Sequence, residues 1–294
     1  MAKLNLVVTP GVNAQGEFHP ISEQTRQAIE QATLLDGQFN AAGALVFEPL
    51  SPCCAGPVRA SLPELAATHQ VDWALQPEGQ SLGDFSVLAM DMDSTVINIE
   101  CIDEIADFCG KKAEVAAITE ATMRGEIKDF NESLTRRVAI LKDVPVHALQ
   151  EVLDQRLRPN PGASQWLAAA KQAGLHCILV SGGFTFFAKA VAERLGFDAF
   201  HANELEIESQ RLTGRVSSEI VNGEVKKRLM LQACEQRGVD PVRAIAVGDG
   251  ANDLPMMTAV GLSIAYRAKP AVTAQAMRAI QYGRLDSPLL GWSQ

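Results

Sequence analysis

The sequence predicts an α/β fold in which a parallel sheet is covered by helices on both faces and is preceded by a small N-terminal α/β unit. From residue 85 onward, short apolar runs alternate with helical segments, which is typical of strands buried in a parallel sheet. Residues 76–83 contain Pro, Gly and Ser and separate this region from the start of the chain, as a linker does. We therefore expect an N-terminal unit at residues 1–84 and a core domain at residues 85–294.

The apolar patterns of the N-terminal unit predict three strands and two helices. We expect the strands at residues 4–8, 44–47 and 72–75, and the helices at residues 22–35 and near 61–69. No chemical motif that we can place lies in this unit. Its role stays open, and we expect the chemistry not to require it.

In the core domain, four short apolar runs predict buried strands, at residues 85–90, 177–180, 244–247 and 262–265. A charge-rich helical region separates the first two runs and is too long for a simple crossover connection. This length predicts an inserted helical cap at about residues 99–158. A shorter alternating stretch at residues 205–216 predicts a β-hairpin.

The amino-acid composition limits the kinds of molecule that the chain is expected to bind. The chain has 294 residues, of which 47% are hydrophobic and 21% charged, with a formal net charge of -9, as expected of a globular enzyme. No concentrated basic surface is present to bind a nucleic-acid backbone. No segment is long and apolar enough to predict a membrane span. The apolar run within the first residues is too short for the core of a signal peptide. We expect a small-molecule substrate, no nucleic-acid or membrane partner, and a monomer or homodimer.

The six cysteines predict free thiols. They form no CxxC pair and have no His at zinc spacing. A disulfide framework or a zinc site would show one of these patterns. The cysteines therefore indicate a reducing, cytoplasmic location.

Acidic residues follow two of the predicted core strands. Asp91 and Asp93 come directly after the first strand, and Asp249 and Asp253 follow the third. Open α/β sheets place their sites at the carboxyl ends of the strands, so these carboxylates are expected in one crevice. Their mutual repulsion is costly unless a hard cation offsets it, and oxygen ligands suit Mg²⁺. The sequence therefore predicts a magnesium site.

The second core strand is followed by a hydroxyl and two glycines, Ser181, Gly182 and Gly183. Their backbone N–H groups at a helix entrance would form a cradle for phosphate oxygens. Each motif can also arise for ordinary structural reasons, as an Asp N-cap, a Gly-rich turn or, for Lys226, a charged helix face. The occurrence of all three motifs after separate strands favours a phosphate site beside a metal site.

The ordered motifs resemble those of the haloacid dehalogenase superfamily. They are the runs at residues 91–95, 181–183 and 248–253, with Lys226 between the last two. The resemblance implies a Rossmann-like, doubly wound core with a helical cap. It also implies that Asp91 is a nucleophile that forms an aspartyl-phosphate, with Mg²⁺ bound by Asp91, Asp249 and the backbone carbonyl of Asp93.

The same resemblance implies roles for the remaining motif residues. Asp93 would protonate the leaving oxygen and then take a proton from the hydrolytic water. Ser181, the N–H of Gly182 and Lys226 would hold the phosphoryl oxygens, and Asn252 would orient groups in the site. Asp253 would support Lys226 or a metal-bound water.

Within the superfamily, the runs at residues 91–100 and 130–137 are similar to those of phosphoserine phosphatases. The similarity implies that Glu100 binds the substrate ammonium and Arg137 its carboxylate, with Phe130 as a further cap contact. It implies hydrolysis of phosphoserine, the last step of serine biosynthesis. Arg136 is the neighbour most easily confused with Arg137.

Two alternatives remain open. One is a phosphatase or phosphotransferase of the same superfamily that acts on another small phosphomonoester. The other is a phosphate-binding protein without catalysis, which would be expected to lack Asp91, Asp93 or Lys226, all of which are present.

Overall fold

The computed structural model describes residues 3–47, 49–124 and 126–292. The N-terminal unit consists of a four-stranded antiparallel sheet with two helices on one face. Its elements in chain order are β1 (Leu4–Pro10), α1 (Glu23–Thr33), β2 (Gly37–Phe39), β3 (Leu45–Phe47), α2 (Ala55–His69) and β4 (Val71–Pro77). The βαββαβ order is that of a ferredoxin-like unit. Strand β2 was not predicted, since it has only three residues, two of them exposed.

Alternation along β1 explains why this sheet has two covered faces. Leu6 and Val8 point to α1 and α2 and share one apolar cluster with Ile29 and Leu62. The neighbouring residues of the strand point to the opposite face. On that face, Gln76 Nε2 donates to the carbonyl of Gly291 at 2.6 Å. The N-terminal sheet therefore lies between its own helices and the C-terminal part of the chain.

The core domain is built on a six-stranded sheet in which every pair of neighbours is parallel, in the order β12-β11-β10-β5-β6-β7. A separate antiparallel hairpin, β8 and β9, follows β7 in the chain. These strands are β5 (Val87–Met90), β6 (His176–Phe184), β7 (Ala199–Asn203), β8 (Leu205–Glu208), β9 (Arg211–Val216), β10 (Ala244–Gly248), β11 (Leu262–Tyr266) and β12 (Arg278–Ile280). The four predicted core strands and the hairpin are confirmed.

Of the α-helices between β5 and β6, the first four form the cap: α3 (Cys101–Phe108), α4 (Lys112–Met123), α5 (Phe130–Ile140) and α6 (His147–Gln155). The cap is tied to the β8–β9 hairpin by main-chain hydrogen bonds. Asp143 N donates to Leu212 O at 2.9 Å, and Leu212 N donates to Val144 O at 2.8 Å. Residues 143–146 thus pair with the hairpin through an isolated antiparallel bridge between Pro145 and Arg211, and the hairpin supports the cap from one side.

The remaining helices cover both faces of the core sheet. They are α7 (Ala163–Gln172), α8 (Thr185–Leu195), α9 (Gly223–Gln236), α10 (Leu254–Met257) and α11 (Pro270–Thr273). Leu88 and Met90 of β5 share a cluster with Trp166 of α7. Val87 and Ala89 of the same strand share the opposite cluster, which includes residues of α9 and α10. Successive side chains of β5 therefore face opposite layers of helices. Helices on both faces of a parallel sheet confirm the predicted doubly wound α/β fold.

The N-terminal unit packs on the edge of the core sheet, where β4 lies beside β12. Over the described part of the chain, no helix combines the length and the apolar composition needed to cross a bilayer. All six cysteines lie in the described ranges, and none of them is joined in a disulfide.

Candidate active site

A buried ion-pair cluster lies at the carboxyl end of β5 and β10. The ammonium of Lys226, in the first turn of α9, lies 2.8 Å from Asp91 Oδ1 and 2.7 Å from Asp253 Oδ1. Burial acts to lower the pKa of Lys226, but Asp253 and Asp91 outweigh it and hold that pKa above its usual value. Lys226 therefore stays charged between two carboxylates.

Asp91 ends β5 and points into the site. Its Oδ1 atom also accepts the N–H of Met92 at 2.8 Å. Burial and then Asp253 raise the pKa of Asp91 well above its usual range, and Lys226 acts against them. The following residues turn sharply, with Ser94 at φ 55°, and this turn directs both Asp91 and Asp93 toward the cleft.

Three carboxylates could contribute to a cation site. One oxygen each of Asp91, Asp249 and Asp253 lies within 4.8 Å of the others. Burial and then Asp253 raise the pKa of Asp249 to about 7, and Thr95 Oγ1 donates to its Oδ1 at 2.7 Å. Donors that are all carboxylate oxygens fit a hard divalent cation.

The hydrogen bonds indicate which of these three acids keep oxygens available to bind a cation. Asp253 Oδ1 pairs with Lys226, and Asp253 Oδ2 accepts the N–H groups of Gly250 at 3.0 Å and Asp249 at 3.2 Å. Both oxygens of Asp253 are therefore engaged by the protein. Asp91 and Asp249 keep the more available oxygens, and they are the two side chains that the sequence predicts as metal ligands.

One carboxyl oxygen of Asp93 has no hydrogen-bond partner among the described residues. This oxygen, Oδ1, is buried. Burial and then Glu100 raise the pKa of Asp93 to about 8. A Cβ on Gly183 would lie 2.5 Å from Asp93 Oδ2, so only glycine fits opposite this carboxyl. A carboxyl with this pKa carries a proton near neutral pH.

Ser181 and Gly182 line the neighbouring side of the site. Ser181 is fully buried, and its Oγ accepts the N–H of Gly183 at 2.8 Å. The strand predicted at residues 177–180 is longer in the structure, since β6 continues to Phe184, and α8 begins directly after it at Thr185. The pairing of β6 with β7 shifts register between Val180 and Phe184, so the strand is irregular where it passes the site.

The cap side of the site is formed by α3 and α5. Glu100 precedes α3, and its Oε1 accepts a hydrogen bond from Ser94 Oγ at 2.6 Å. Phe130 is the first residue of α5, and its ring lies 3.0 Å from the Cβ position of Gly182. The cap therefore contacts the core directly above the phosphate cradle.

Arg137 and Arg136 have different environments. Arg137 faces the cleft, where burial lowers its pKa and Asp103 and Glu100 act in the opposite sense. Arg136 is exposed and pairs with Glu132 at 2.5 Å. The two neighbours thus point in different directions from one helix, and of the two only Arg137 lines the cleft.

The predicted residues meet in a cleft of about 450 Å³ between core and cap. Its lining includes every predicted site residue except Lys226 and Asp253, which pair with each other beneath Asp91: Asp91, Asp93, Glu100, Phe130, Arg137, Ser181, Gly182, Asp249 and Asn252. Ser94, Asp103 and Lys269 also line it and were not predicted. Of these, Asp103 follows Glu100 by three residues, a helical spacing that could have indicated it.

A larger cleft of about 800 Å³ lies elsewhere, between the N-terminal sheet and residues 289–292. Its described lining includes none of the acidic cluster at the strand ends. The chemistry-bearing residues therefore belong to the smaller cleft.

Comparison with known proteins gives one family. The family model described as haloacid dehalogenase-like hydrolase matches residues 88–258. The chain is similar to the phosphoserine phosphatase of Polaromonas sp. (strain JS666), with 56% identity over 209 residues, 70% of this chain and 89% of that protein. It is also similar to the phosphoserine phosphatase of Vibrio cholerae, with 42% identity over 229 residues, 76% of this chain and 69% of that protein.

Solved structures show the same likeness. A HAD family hydrolase from Salmonella enterica serovar Typhi superposes with a TM-score of 0.84 at 28% identity, over 98% of each chain. A substrate-bound phosphoserine phosphatase superposes with a TM-score of 0.66 at 34% identity, over 71% of this chain and 99% of that one. The first likeness extends through the N-terminal unit, and the second spans a length close to that of the core domain.

Proposed function

Because the chain belongs to the haloacid dehalogenase-like hydrolase family, we propose that it is a phosphoserine phosphatase that converts O-phospho-L-serine and water to L-serine and phosphate. The observation that carries this proposal is the position of Glu100 and Arg137 in the same cleft as Asp91 and Asp249. The core acids and Lys226 suit phosphoryl transfer in general, whereas the two cap-side charges complement an amino acid. A cytoplasmic location and a place at the end of serine biosynthesis are further predictions.

Asp91 is the proposed nucleophile. Its Oδ1 is engaged by Lys226 and the N–H of Met92, which leaves Oδ2 to attack phosphorus. A bond forms between Asp91 Oδ2 and phosphorus while the bond from phosphorus to the serine oxygen breaks. Water then attacks the aspartyl-phosphate, and the bond from phosphorus to Asp91 breaks. Two displacements replace one difficult step.

Asp93 is the proposed proton donor and acceptor. Protonated as described above, it gives its proton to the leaving serine oxygen in the first step. The resulting carboxylate then accepts a proton from the attacking water in the second step. Asp93 lines the cleft beside Asp91, and with one carboxyl serving both transfers no second acid is required.

Negative charge on the phosphoryl group needs compensation in both steps. Asp91 and Asp249, with the main-chain carbonyl of Asp93, would hold a magnesium ion, whose charge offsets that of the phosphate dianion. Ser181 and the N–H of Gly182 line the cleft and would contact the phosphoryl oxygens. Lys226, 2.8 Å from Asp91 Oδ1, would add a positive charge directly beneath the nucleophile.

The cap-side charges select the substrate. Glu100 complements an ammonium group and Arg137 a carboxylate, and charge-assisted hydrogen bonds of this kind are stronger than neutral ones. Purified protein with Mg²⁺ is expected to release phosphate from L-phosphoserine faster than from phosphoethanolamine or glycerol phosphate. Equal rates on all three would reject phosphoserine and leave a phosphatase for another small phosphomonoester.

A further inference from the structure

The N-terminal unit is connected to the wall of the catalytic cleft by a chain of hydrogen bonds. It begins at Asp72 of β4, which is 4% exposed. The Asp72 carboxylate accepts the backbone N–H groups of Gln281 at 2.8 Å, Gly283 at 2.7 Å and Tyr282 at 3.2 Å. These three residues directly follow β12, so a carboxylate of the N-terminal unit fixes the main chain where it leaves the core sheet.

The side chain of Gln281 continues this chain of contacts. Its Nε2 donates to Thr273 Oγ1 at 2.9 Å and to Ala268 O at 3.2 Å. Arg267 N also donates to Ile280 O at 2.7 Å. Both ends of the segment 268–273 are therefore held by the residues that Asp72 anchors.

That segment forms one wall of the cleft, through Lys269, Ala271 and Val272. It has little stability of its own, because α11 is only four residues long and short helices are marginal without tertiary contacts. Arg267, just before it, has φ 46°, a conformation that costs energy for a non-glycine residue. External contacts must hold the wall in place.

Lys269 is the charged residue of this wall. Among the described residues that line the cleft, five are acids, Asp91, Asp93, Glu100, Asp103 and Asp249, and two are cations, Arg137 and Lys269. With Asp93 protonated and a bound magnesium ion offsetting Asp91 and Asp249, Glu100 and Asp103 still repel an anionic substrate, and a cation near the entrance reduces this repulsion. Lys269 is exposed, so its ammonium can meet the substrate before the cap-side residues do.

We propose that Gln281, and Asp72 through it, are positioning residues that hold Lys269 at the cleft, where it attracts the anionic substrate. The proposal rests on the proposed function only in taking a phosphomonoester as substrate. It assigns the N-terminal unit a part in substrate capture, although none of the described residues of that unit lines the cleft.

A double-mutant cycle tests the coupling of Gln281 to Lys269. Lys269→Met and Gln281→Ala are each expected to raise KM by about twofold to fivefold, the size of one exposed charge contact, with kcat nearly unchanged. The double variant is expected to be no worse than Lys269→Met alone, because the two residues act as one unit. Lys269→Met should also weaken the dependence of KM on salt. Additive effects of the two substitutions would overturn the proposal.

The matched control is Gln150→Ala, which removes a side-chain hydrogen bond to Asp154 in α6, away from the cleft, and should leave KM unchanged. The cycle can use whichever phosphomonoester the protein hydrolyses best. A failure of phosphoserine as substrate therefore rejects the proposed function without deciding the coupling.

Hydrogen exchange tests the positioning step without any substrate. Asp72→Asn and Gln281→Ala are both expected to speed amide exchange in residues 267–273. Asp198→Asn is the control for Asp72, since Asp198 likewise accepts a backbone N–H, from Cys177 at 2.8 Å, at the far end of β6. Unchanged exchange in residues 267–273 of Gln281→Ala, or an equal increase in Asp198→Asn, would overturn the proposal. Gln281→Ala decides the outcome if Asp72→Asn does not fold.

Discussion

The ammonium of Lys226 lies 2.8 Å beneath Asp91 Oδ1, and the Lys226 side chain is completely shielded from solvent. The same ammonium is 2.7 Å from Asp253, whose side chain is equally shielded. One buried cation thus offsets two carboxylates, one of which is the proposed nucleophile. Stability and chemistry therefore depend on the same ion pairs, and substitutions here should affect both.

The first prediction concerns this shared dependence. Lys226→Met should lower the free energy of unfolding by about 3–5 kcal/mol, because it leaves buried carboxylates without a partner. It should also abolish phosphatase activity. Urea denaturation and phosphate release measure the two effects. Lys227→Met, at the next position of α9, is the control and should change stability by less than about 0.5 kcal/mol. A stable but inactive Lys226→Met protein would contradict the structural part of the prediction.

The second prediction concerns the nucleophile. Asp91→Asn should reduce kcat by about 10³-fold or more, as expected when a nucleophile is removed, while the protein stays folded. Beryllium fluoride with Mg²⁺, a mimic of the aspartyl-phosphate, should bind the unsubstituted protein and not the variant. Asp154→Asn, an exposed position in the cap, is the control. Near-normal turnover by Asp91→Asn would rule out covalent catalysis at this residue.

The positions of the catalytic groups at the strand ends could be predicted from the sequence. Asp91 and the Gly-Asp pair at Asp249 each directly follow a buried apolar run. Parallel sheets carry their sites at the carboxyl ends of the strands. Strands β7 and β12 were missed for a physical reason. Residues of β7 are mostly half-buried and include His201, and β12 has only three residues, so neither has a clear apolar pattern.

The hydrogen bonds of Asp72 could not be predicted either. They join residues 209 to 211 positions apart, and an acidic residue in a strand pattern carries no sign of a distant main-chain partner. The expectation that the chemistry does not require the N-terminal unit stays a prediction, and the part proposed for these bonds concerns substrate capture. Similarly, nothing in the sequence around Lys269 or Gln281 indicates that the fold brings Lys269 to the cleft and Gln281 against the segment that carries it.

The third prediction concerns the proton donor. Asp93→Asn should slow hydrolysis of L-phosphoserine by about 10²–10⁴-fold, the usual contribution of a general acid. The loss should be much smaller for the first step with p-nitrophenyl phosphate, because its phenolate leaves without protonation. Burst kinetics on both substrates separate the two steps. An equal loss of the first-step rate on both substrates would contradict the role of Asp93 as an acid and leave it a purely structural one.

The last prediction concerns substrate choice, for which the chain offers a matched pair of neighbouring arginines. Arg137 faces the cleft, whereas Arg136 forms an exposed ion pair with Glu132. Arg137→Ala should cost about tenfold to a hundredfold in kcat/KM on L-phosphoserine, since one charge-assisted contact contributes about 1.5–3 kcal/mol. It should cost little on phosphoethanolamine, which lacks the carboxylate. Arg136→Ala should leave both values unchanged. If Arg137→Ala reduced both substrates equally, Arg137 would act on the cap or the phosphoryl group, and the carboxylate assignment would fail.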